Sequence, residues 1–500
     1  MTNRRSSITI RYCTVLFGAA ILYGLSSAPG VAWQDSGLIQ YRVWHNDIEG
    51  VEGLATAHPL YYVLAIGVKH VPIGEFGRRV NLISAVAAAL AVANLYLLMR
   101  LWLGKDLPAV IAALTLAVSH TFWWHASVAE TYTLWAALFL GELIVLLAYT
   151  RTQRVGFLYA LGLLNGLALA VHMLAAIPLA CYAGYLFVLL VRRRIRARDL
   201  AIVAALWVLG ALPYEYLILK NMIHSGDAFG TLASAAFGNR WRADVLNMSL
   251  SWKLIKEDIL FLGLNFPTPN VLLFFVGLIG LHRIGWTAGF RGVVLALLIL
   301  FFLFACRYTI VDRYAFFLPF YCLAAVMIGL GAHELVRWGL PHGVPLIAGF
   351  AVLPIVIYAA APRLAQRMDL ALGTRQDIPY RNDYEYFLRP WRTGYTGAER
   401  FAREALEAAE PNAIIWADST TVAPLLYVQE VKGLRADVKV VAGAARSRGA
   451  PQVDEQTLGP LLAEHPVYVV SRRPGYCPAF LLARYELAQA GVLWRVVRTP

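Results

Sequence analysis

The sequence predicts a polytopic α-helical membrane protein of about eleven spans that carries a small C-terminal α/β domain. Three observations lead there. Hydrophobic residues are 59% of the 500 and charged residues only 15%, where an ordinary soluble domain is about 25% charged. Long apolar runs occupy residues 12–362, whereas residues 363–500 have the mixed composition of a soluble unit. The basic residues behind the net charge of +13 sit in short clusters between the apolar runs. Topogenic charge at the cytoplasmic ends of helices has that pattern, so nucleic acid is excluded as a partner and membrane lipids are expected around the body.

A crossing helix takes about 20 mostly apolar residues. Candidate runs lie near 12–30, 80–102, 108–122, 129–149, 157–171, 173–191, 201–220, 269–283, 292–306, 314–332 and 344–362. The stretch His58–Val71 is apolar but only fourteen residues long. It reads as a full span or as a helix lying at the interface. The N-terminus, with Arg4 and Arg5 ahead of an apolar run, has the outline of a signal peptide. With no small-x-small cleavage site before a soluble domain, it reads as a retained first span. Division at 362/363 gives a transmembrane unit, 1–362, and a soluble α/β unit, 363–500.

Charge then orients the chain. The strongest cytoplasmic marker is the cluster Arg192, Arg193, Arg194, Arg196 and Arg198. If His58–Val71 does not cross, this cluster falls inside together with the N-terminus, Arg100/Lys105, Arg151/Arg154, Arg283/Arg291 and Arg337. Arg78 and Arg79 are then the exceptions outside. The expected location is the plasma (inner) membrane, with the N-terminus cytoplasmic. Loop 31–57, the turn Ser119–Glu130, the turn at His172, loop 221–268, the turn Arg307–Arg313 and the C-terminal domain all face the outer side.

Those outer segments hold the residues that could carry chemistry. Asp35 follows the first span. A carboxylate at a membrane–water boundary suits a general base that takes a proton from a hydroxyl; it also reads as a surface aspartate at a helix end. His58-Pro59 either caps a helix or sets a histidine near a phosphate or hydroxyl. In Thr121-Phe122-Trp123-Trp124 the tryptophans suit an interfacial belt, or a stacking face for a sugar ring. Glu130 is an ionisable residue entering an apolar helix, a functional candidate by position. Arg240 and Arg242, with Trp241, belong to a stretch that reads as an amphipathic helix on the outer face. It either gates the site or connects two spans. Arg307 and Arg313 bracket a turn with Asp312, which reads either as a phosphate site or as a solvated turn with Asp312 neutralising one arginine. Cys13, Cys181, Cys306 and Cys322 lie in apolar runs without ligand spacing, so neither a disulfide framework nor a zinc site is expected. There is no Asp-x-Asp metal motif and no glycine-rich nucleotide loop. No metal and no cofactor are expected.

One ordered set of motifs supports a family resemblance. It runs Asp35-Ser36-Gly37, His58-Pro59, Arg79-Val80-Asn81-Leu82-Ile83-Ser84-Ala85, Thr121-Phe122-Trp123, then Ala129-Glu130-Thr131-Tyr132. Later it returns in Asn382-Asp383-Tyr384 and Gly433-Leu434-Arg435-Ala436-Asp437-Val438. The chain resembles the bacterial protein O-mannosyltransferase-like glycosyltransferases of the GT-C superfamily. It departs from them at Leu38, where the family usually has an acidic residue, and at Leu60, where it usually has a second proline. The resemblance implies a polyprenyl-phosphate-linked sugar donor and a catalytic acidic residue in the first outer loop, a position Asp35 matches. It also implies inversion at the anomeric carbon and a protein or glycan acceptor. His58, Trp123, Glu130, Arg240, Arg307 and Arg313 are then the candidates for binding the substrates. Transfer to a lipid or polysaccharide, and a transporter or scaffold without catalysis, are the competing readings; the chain shows no internal repeat of the transporter kind.

In the C-terminal region, aromatics crowd 377–395. A helical pattern follows from Gly397 to Glu410. Apolar runs at 413–416, 438–440, 467–470 and 492–497 read as strands alternating with helices, the pattern of an α/β layer.

Overall fold

A computed structural model describes residues 2–238, 241–283, 288–310, 312–339, 343–370, 372 and 377–497. The helical body opens with α1 (Thr2–Ser26), α2 (Gln34–Trp44), α3 (Pro59–Gly67), α4 (Phe76–Leu103), α5 (Asp106–Ala117) and α6 (His120–Ala126). Next come α7 (Tyr132–Thr152), α8 (Gly156–Val171), α9 (Ala176–Val191), α10 (Ala197–Ser225), α11 (Ala228–Phe237) and α12 (Arg242–Val245). It closes with α13 (Trp252–Asn265), α14 (Leu272–Leu281), α15 (Ala288–Arg307), α16 (Leu318–Arg337) and α17 (Val344–Arg367).

Among the described residues, eight helices are long and apolar enough to cross a membrane, or ten if two bent pairs each count as one. The pairs α5–α6 and the α13–α14 region bend by 67° and 111°. In the second, Pro267 and Pro269 remove backbone donors and stop the helix. The run expected at 157–171 is α8, whose 16 residues reach about 24 Å; it makes up the difference from eleven and crosses a core of about 30 Å where the bilayer thins to meet a short helix. Helix α3, nine residues long, is too short to cross, which agrees with the topology in which 58–71 stays on one side.

The helices pack by close backbone approach, as membrane helices do where small residues allow it. A Cβ on Gly166 would stand 2.1 Å from the Trp207 carbonyl, and one on Gly277 1.9 Å from that of Met327. These contacts seat α8 on α10 and α14 on α16. Helix α16 is the buried centre, and α1 lies at the periphery with Ile10, Phe17, Ile21 and Leu25 exposed.

Beyond the body come α18 (Asp383–Leu388), α19 (Gly397–Ala408) and α20 (Val422–Glu430) with β1 (Ile414–Trp416), β2 (Lys439–Ala442) and β3 (Ala445–Arg446). Strands β4 (Val467–Val469), β5 (Glu486–Ala490) and β6 (Leu493–Val497) complete one sheet of order β3-β2-β1-β4-β6-β5. β1 runs parallel to both β2 and β4, and the edges are antiparallel. The four expected strands form. β5 has no β-branched or aromatic residue to announce it and exists as the hairpin partner of β6 across Gly491 (φ 62°). The sheet unit docks on the body through Tyr427. Its hydroxyl donates to Glu75 (2.5 Å) and accepts from the Gly77 amide (2.8 Å), while its ring stacks on Phe76. Trp33 packs against Phe401 with centroids 5.6 Å apart.

Candidate active site

The turn between α1 and α2 is tied by two buried amides. Gln40 accepts from the Ala32 amide (3.1 Å) and donates to the Gly30 and Gly77 carbonyls and to Asn81 Oδ1 (2.8 Å). Asn81 donates to the Ala28 and Gly30 carbonyls and accepts from the Ala129 amide (2.9 Å). One polar pair therefore fixes α2, the start of α4 and residue 129 relative to one another. Gly37 lets α2 close over its own entrance: a Cβ there would meet the Ala32 carbonyl at 2.3 Å. Ser84 completes the lattice, donating to the Glu130 carbonyl (2.8 Å) and accepting from its amide (2.9 Å).

This frame sets Asp35 beside Glu130, and the turn between α15 and α16 brings Asp312 near both. Asp35 is exposed to water, and Glu130 and Asp312 are half-buried. Protein nevertheless surrounds each of them closely. Desolvation raises the pKa of Asp35, with the charge of Glu52 adding to it. Asp312 is raised to about 6, by desolvation first and then by the charge of Asp35. Glu130 is raised well above the ordinary range by desolvation, then by the charges of Asp35 and Asp312. Ser36 donates to Glu130 Oε1 (3.2 Å), which holds the second carboxyl beside the first. Among the described residues no group of three or more His, Cys, Asp or Glu has the arrangement of a metal site.

His58 and His172 form a second feature. Their rings stack at 4.8 Å, and Tyr132 lies 5.0 Å from His172. His58 has φ 53°, a left-handed conformation that is strained for a non-glycine residue and disfavoured before proline. Its Nδ1 donates to the Val171 carbonyl (2.8 Å), whereas His172 Nδ1 accepts from the Leu174 amide (3.1 Å). The neutral tautomers are thereby opposite: His58 keeps a free lone pair at Nε2 and His172 a proton. Burial lowers the His58 pKa to about 4 and that of His172 well below 6.5, so both rings are neutral at pH 7.

The structure places the other expected residues differently from one another. Trp123 is buried, its indole N–H donates to Ser26 Oγ (2.9 Å), and its ring packs on Trp391 at 5.1 Å; it ties α1 to α6. Its neighbour Trp124 meets Tyr386 at 5.9 Å and Tyr314 at 6.3 Å. Arg307 donates to the Val245 carbonyl (2.7 Å) and to that of Asn247, holding the loop after α12. Arg313 is 2% exposed and pairs with Asp258 (2.7 Å) and Glu257 (3.1 Å), and donates to the Leu254 carbonyl (2.7 Å). These partners occupy its guanidinium, so it braces α13 and leaves no free fork for a phosphate. Asp312 does not neutralise it; Asp312 faces Asp35 instead. Arg240 lies outside the described residues, while Arg242 opens α12. Sequence reasoning missed Arg42, which stacks 3.9 Å over Tyr62 and pairs with Asp47 at 3.3 Å. The signal was its place seven residues, about two helical turns, after Asp35 on the same face of α2.

Two solved structures of ArnT from Cupriavidus metallidurans are similar to the chain. The one bound to undecaprenyl phosphate superposes with a TM-score of 0.56 at 14% identity, over 98% of this chain and 99% of that one. The apo structure gives 0.57 at 13% identity, over 99% and 100%. The chain has the fold of those ArnT structures, a helical body with a small C-terminal sheet. A family model described as the N-terminal domain of protein O-mannosyl-transferase TMEM260 matches residues 54–195. That stretch includes His58, Asn81, Ser84 and Glu130 but begins after Asp35. No curated protein sequence matches the chain.

Proposed function

We propose that the protein is a membrane glycosyltransferase that moves a sugar, mannose, from a polyprenyl phosphate to a Ser/Thr hydroxyl of an extracytoplasmic protein. The observation that carries this reading is the recess where Asp35 and Glu130, set by the Gln40–Asn81 pair and Ser84, meet Asp312. The undecaprenyl phosphate bound by the similarly folded ArnT supports a lipid-linked donor. The matched O-mannosyl-transferase model supports mannose and a protein acceptor.

In the proposed reaction Asp35 takes the proton of the acceptor hydroxyl. The oxygen attacks the anomeric carbon from the face opposite the phosphate. The bond from that carbon to the phosphate oxygen breaks, polyprenyl phosphate leaves with the electron pair, and the configuration inverts. A general base of this kind contributes about 10²–10⁴-fold. Glu130, whose pKa burial and its carboxyl neighbours raise, lies beside Ser36 and can hydrogen-bond a sugar hydroxyl. The neutral His58–His172 pair offers one donor and one acceptor to the donor's polar head. Residues 1–362 form the catalytic body and 363–500 its outer cover, with the N-terminus cytoplasmic.

The test supplies purified protein with radiolabelled polyprenyl-phosphate mannose and a Ser/Thr peptide. Labelled peptide of inverted anomeric configuration is the expected product. Label that reaches only lipid or polysaccharide acceptors, or none at all, contradicts the proposal.

A further inference from the structure

A cleft of about 410 Å³ opens beside the recess, between the end of α17 and the segment 378–395. Its walls include Gln366, Tyr380, Arg381, Asn382, Asp383 and Glu385. This volume falls in the range of ligand sites, about 300–1,000 Å³. The lining mixes phenol rings, a guanidinium, carboxylates and two amides. Arg381 pairs with Asp383 at 3.0 Å and stacks over Tyr386 at 4.9 Å.

The position of the cleft makes it informative. Arg381 Nη2 donates to Gln34 Oε1 (3.4 Å), so one wall touches the residue next to Asp35. Tyr395, also in the lining, accepts a hydrogen bond from the Trp33 indole (2.7 Å). The Gln34 amide in turn donates to the Thr420 carbonyl (3.3 Å) in the loop after β1. Helix α18 turns Tyr384 and Glu385 to the cleft, and its Tyr386 and Phe387 to Trp124 and Tyr314. The cleft and the recess are thus two sides of one wall, joined at residues 33–35.

We propose that this cleft seats the polypeptide flanking the acceptor hydroxyl. The proposal rests on the protein-acceptor reading above. An extended chain advances about 3.3–3.6 Å per residue, so a segment lying along Arg381 and Gln34 delivers a neighbouring Ser/Thr to Asp35. The amide of Gln366 and the carboxylate of Glu385 in the lining can pair with peptide carbonyls and amides. The tyrosine rings supply contact area at low conformational cost.

Two substitutions test it without touching the recess. Gln366 and Glu385 are both exposed. Gln366→Trp fills the cleft, and Glu385→Arg reverses a wall charge. Each is measured for steady-state transfer to the peptide, for slow hydrolysis of the donor in its absence, and for thermal unfolding. The expected result is a KM for peptide raised about tenfold or more, with donor hydrolysis and unfolding unchanged. A peptide carrying a photoreactive group next to its Ser/Thr is expected to label residues 378–385 of the wild type, and not those of Gln366→Trp. Unchanged peptide KM and undiminished labelling in both variants overturn the cleft assignment while leaving the transferase intact. Wild type that neither transfers nor hydrolyses the donor overturns the parent reading instead. Variants that lose transfer to a glycan acceptor but not to peptide reject the polypeptide as occupant.

Discussion

Asp35, Glu130 and Asp312 each hold a proton more tightly than a free carboxyl group. For catalysis the sign is direct: a base works deprotonated, so activity should rise with pH along a limb set above the usual aspartate range of about 3.9. Glu52→Gln removes the like charge that adds to the Asp35 shift, and a kcat/KM profile should show this limb moving to lower pH. For stability the sign is opposite. The unfolded Asp312 ionises near 3.8 and the folded one near 6, so folding loses free energy as pH rises between those values. Asp312→Asn should therefore stabilise the protein by about 1–3 kcal/mol at pH 7–8 and leave it unchanged near pH 3. Denaturation in detergent at the two pH values checks this. The sequence made Asp35 and Glu130 visible because a carboxylate stands out beside apolar runs. Asp312 looked like a counter-ion to its arginine neighbours, since only the packing of α13 shows that Glu257 and Asp258 already serve Arg313.

The latch between α2 and α4 decides where Asp35 points. Asn81→Ala would strand the Ala28 carbonyl and the Ala129 amide, among the groups that side chain serves. Each buried orphan costs about 1–3 kcal/mol, so a loss of about 2–5 kcal/mol is expected, together with a fall in kcat. Arg313→Met tests the brace on α13. It leaves Asp258 buried without its cation, at a cost of about 3–5 kcal/mol. The expected signature is a lower unfolding midpoint with donor KM unchanged; a raised donor KM in a stable variant would return Arg313 to the substrate site. Elements were legible where composition speaks alone, as in the long apolar helices and the four Val- and Ile-rich strands. β5 was not, because tertiary pairing with β6 makes it a strand despite Glu486, Ala488, Gln489 and Ala490. The polar lattice of Gln40, Asn81 and Ser84 was legible only as a motif, since its meaning lies in contacts 41 to 53 residues apart in sequence.

At the scale of the molecule, a helical body and a sheet unit share one polar seam. The turn after α1, the start of α4, residues 129–130 and the segment 377–395 converge on it. The charge pattern in the sequence gathered these same segments on one side of the membrane, but it could not say which of their residues meet. Cysteine at the exposed position 194, inside the Arg192–Arg198 cluster, should resist a membrane-impermeant maleimide in intact cells and react after lysis. Labelling from outside would reverse the topology and move the recess to the cytoplasm. The central claim is that Asp35 is the base for sugar transfer, and single-turnover transfer from polyprenyl-phosphate mannose to peptide, for wild type and Asp35→Asn, tests it most directly. The account predicts a rate at least about 10²-fold lower in the variant, with donor affinity retained. Equal rates in the two proteins would contradict it.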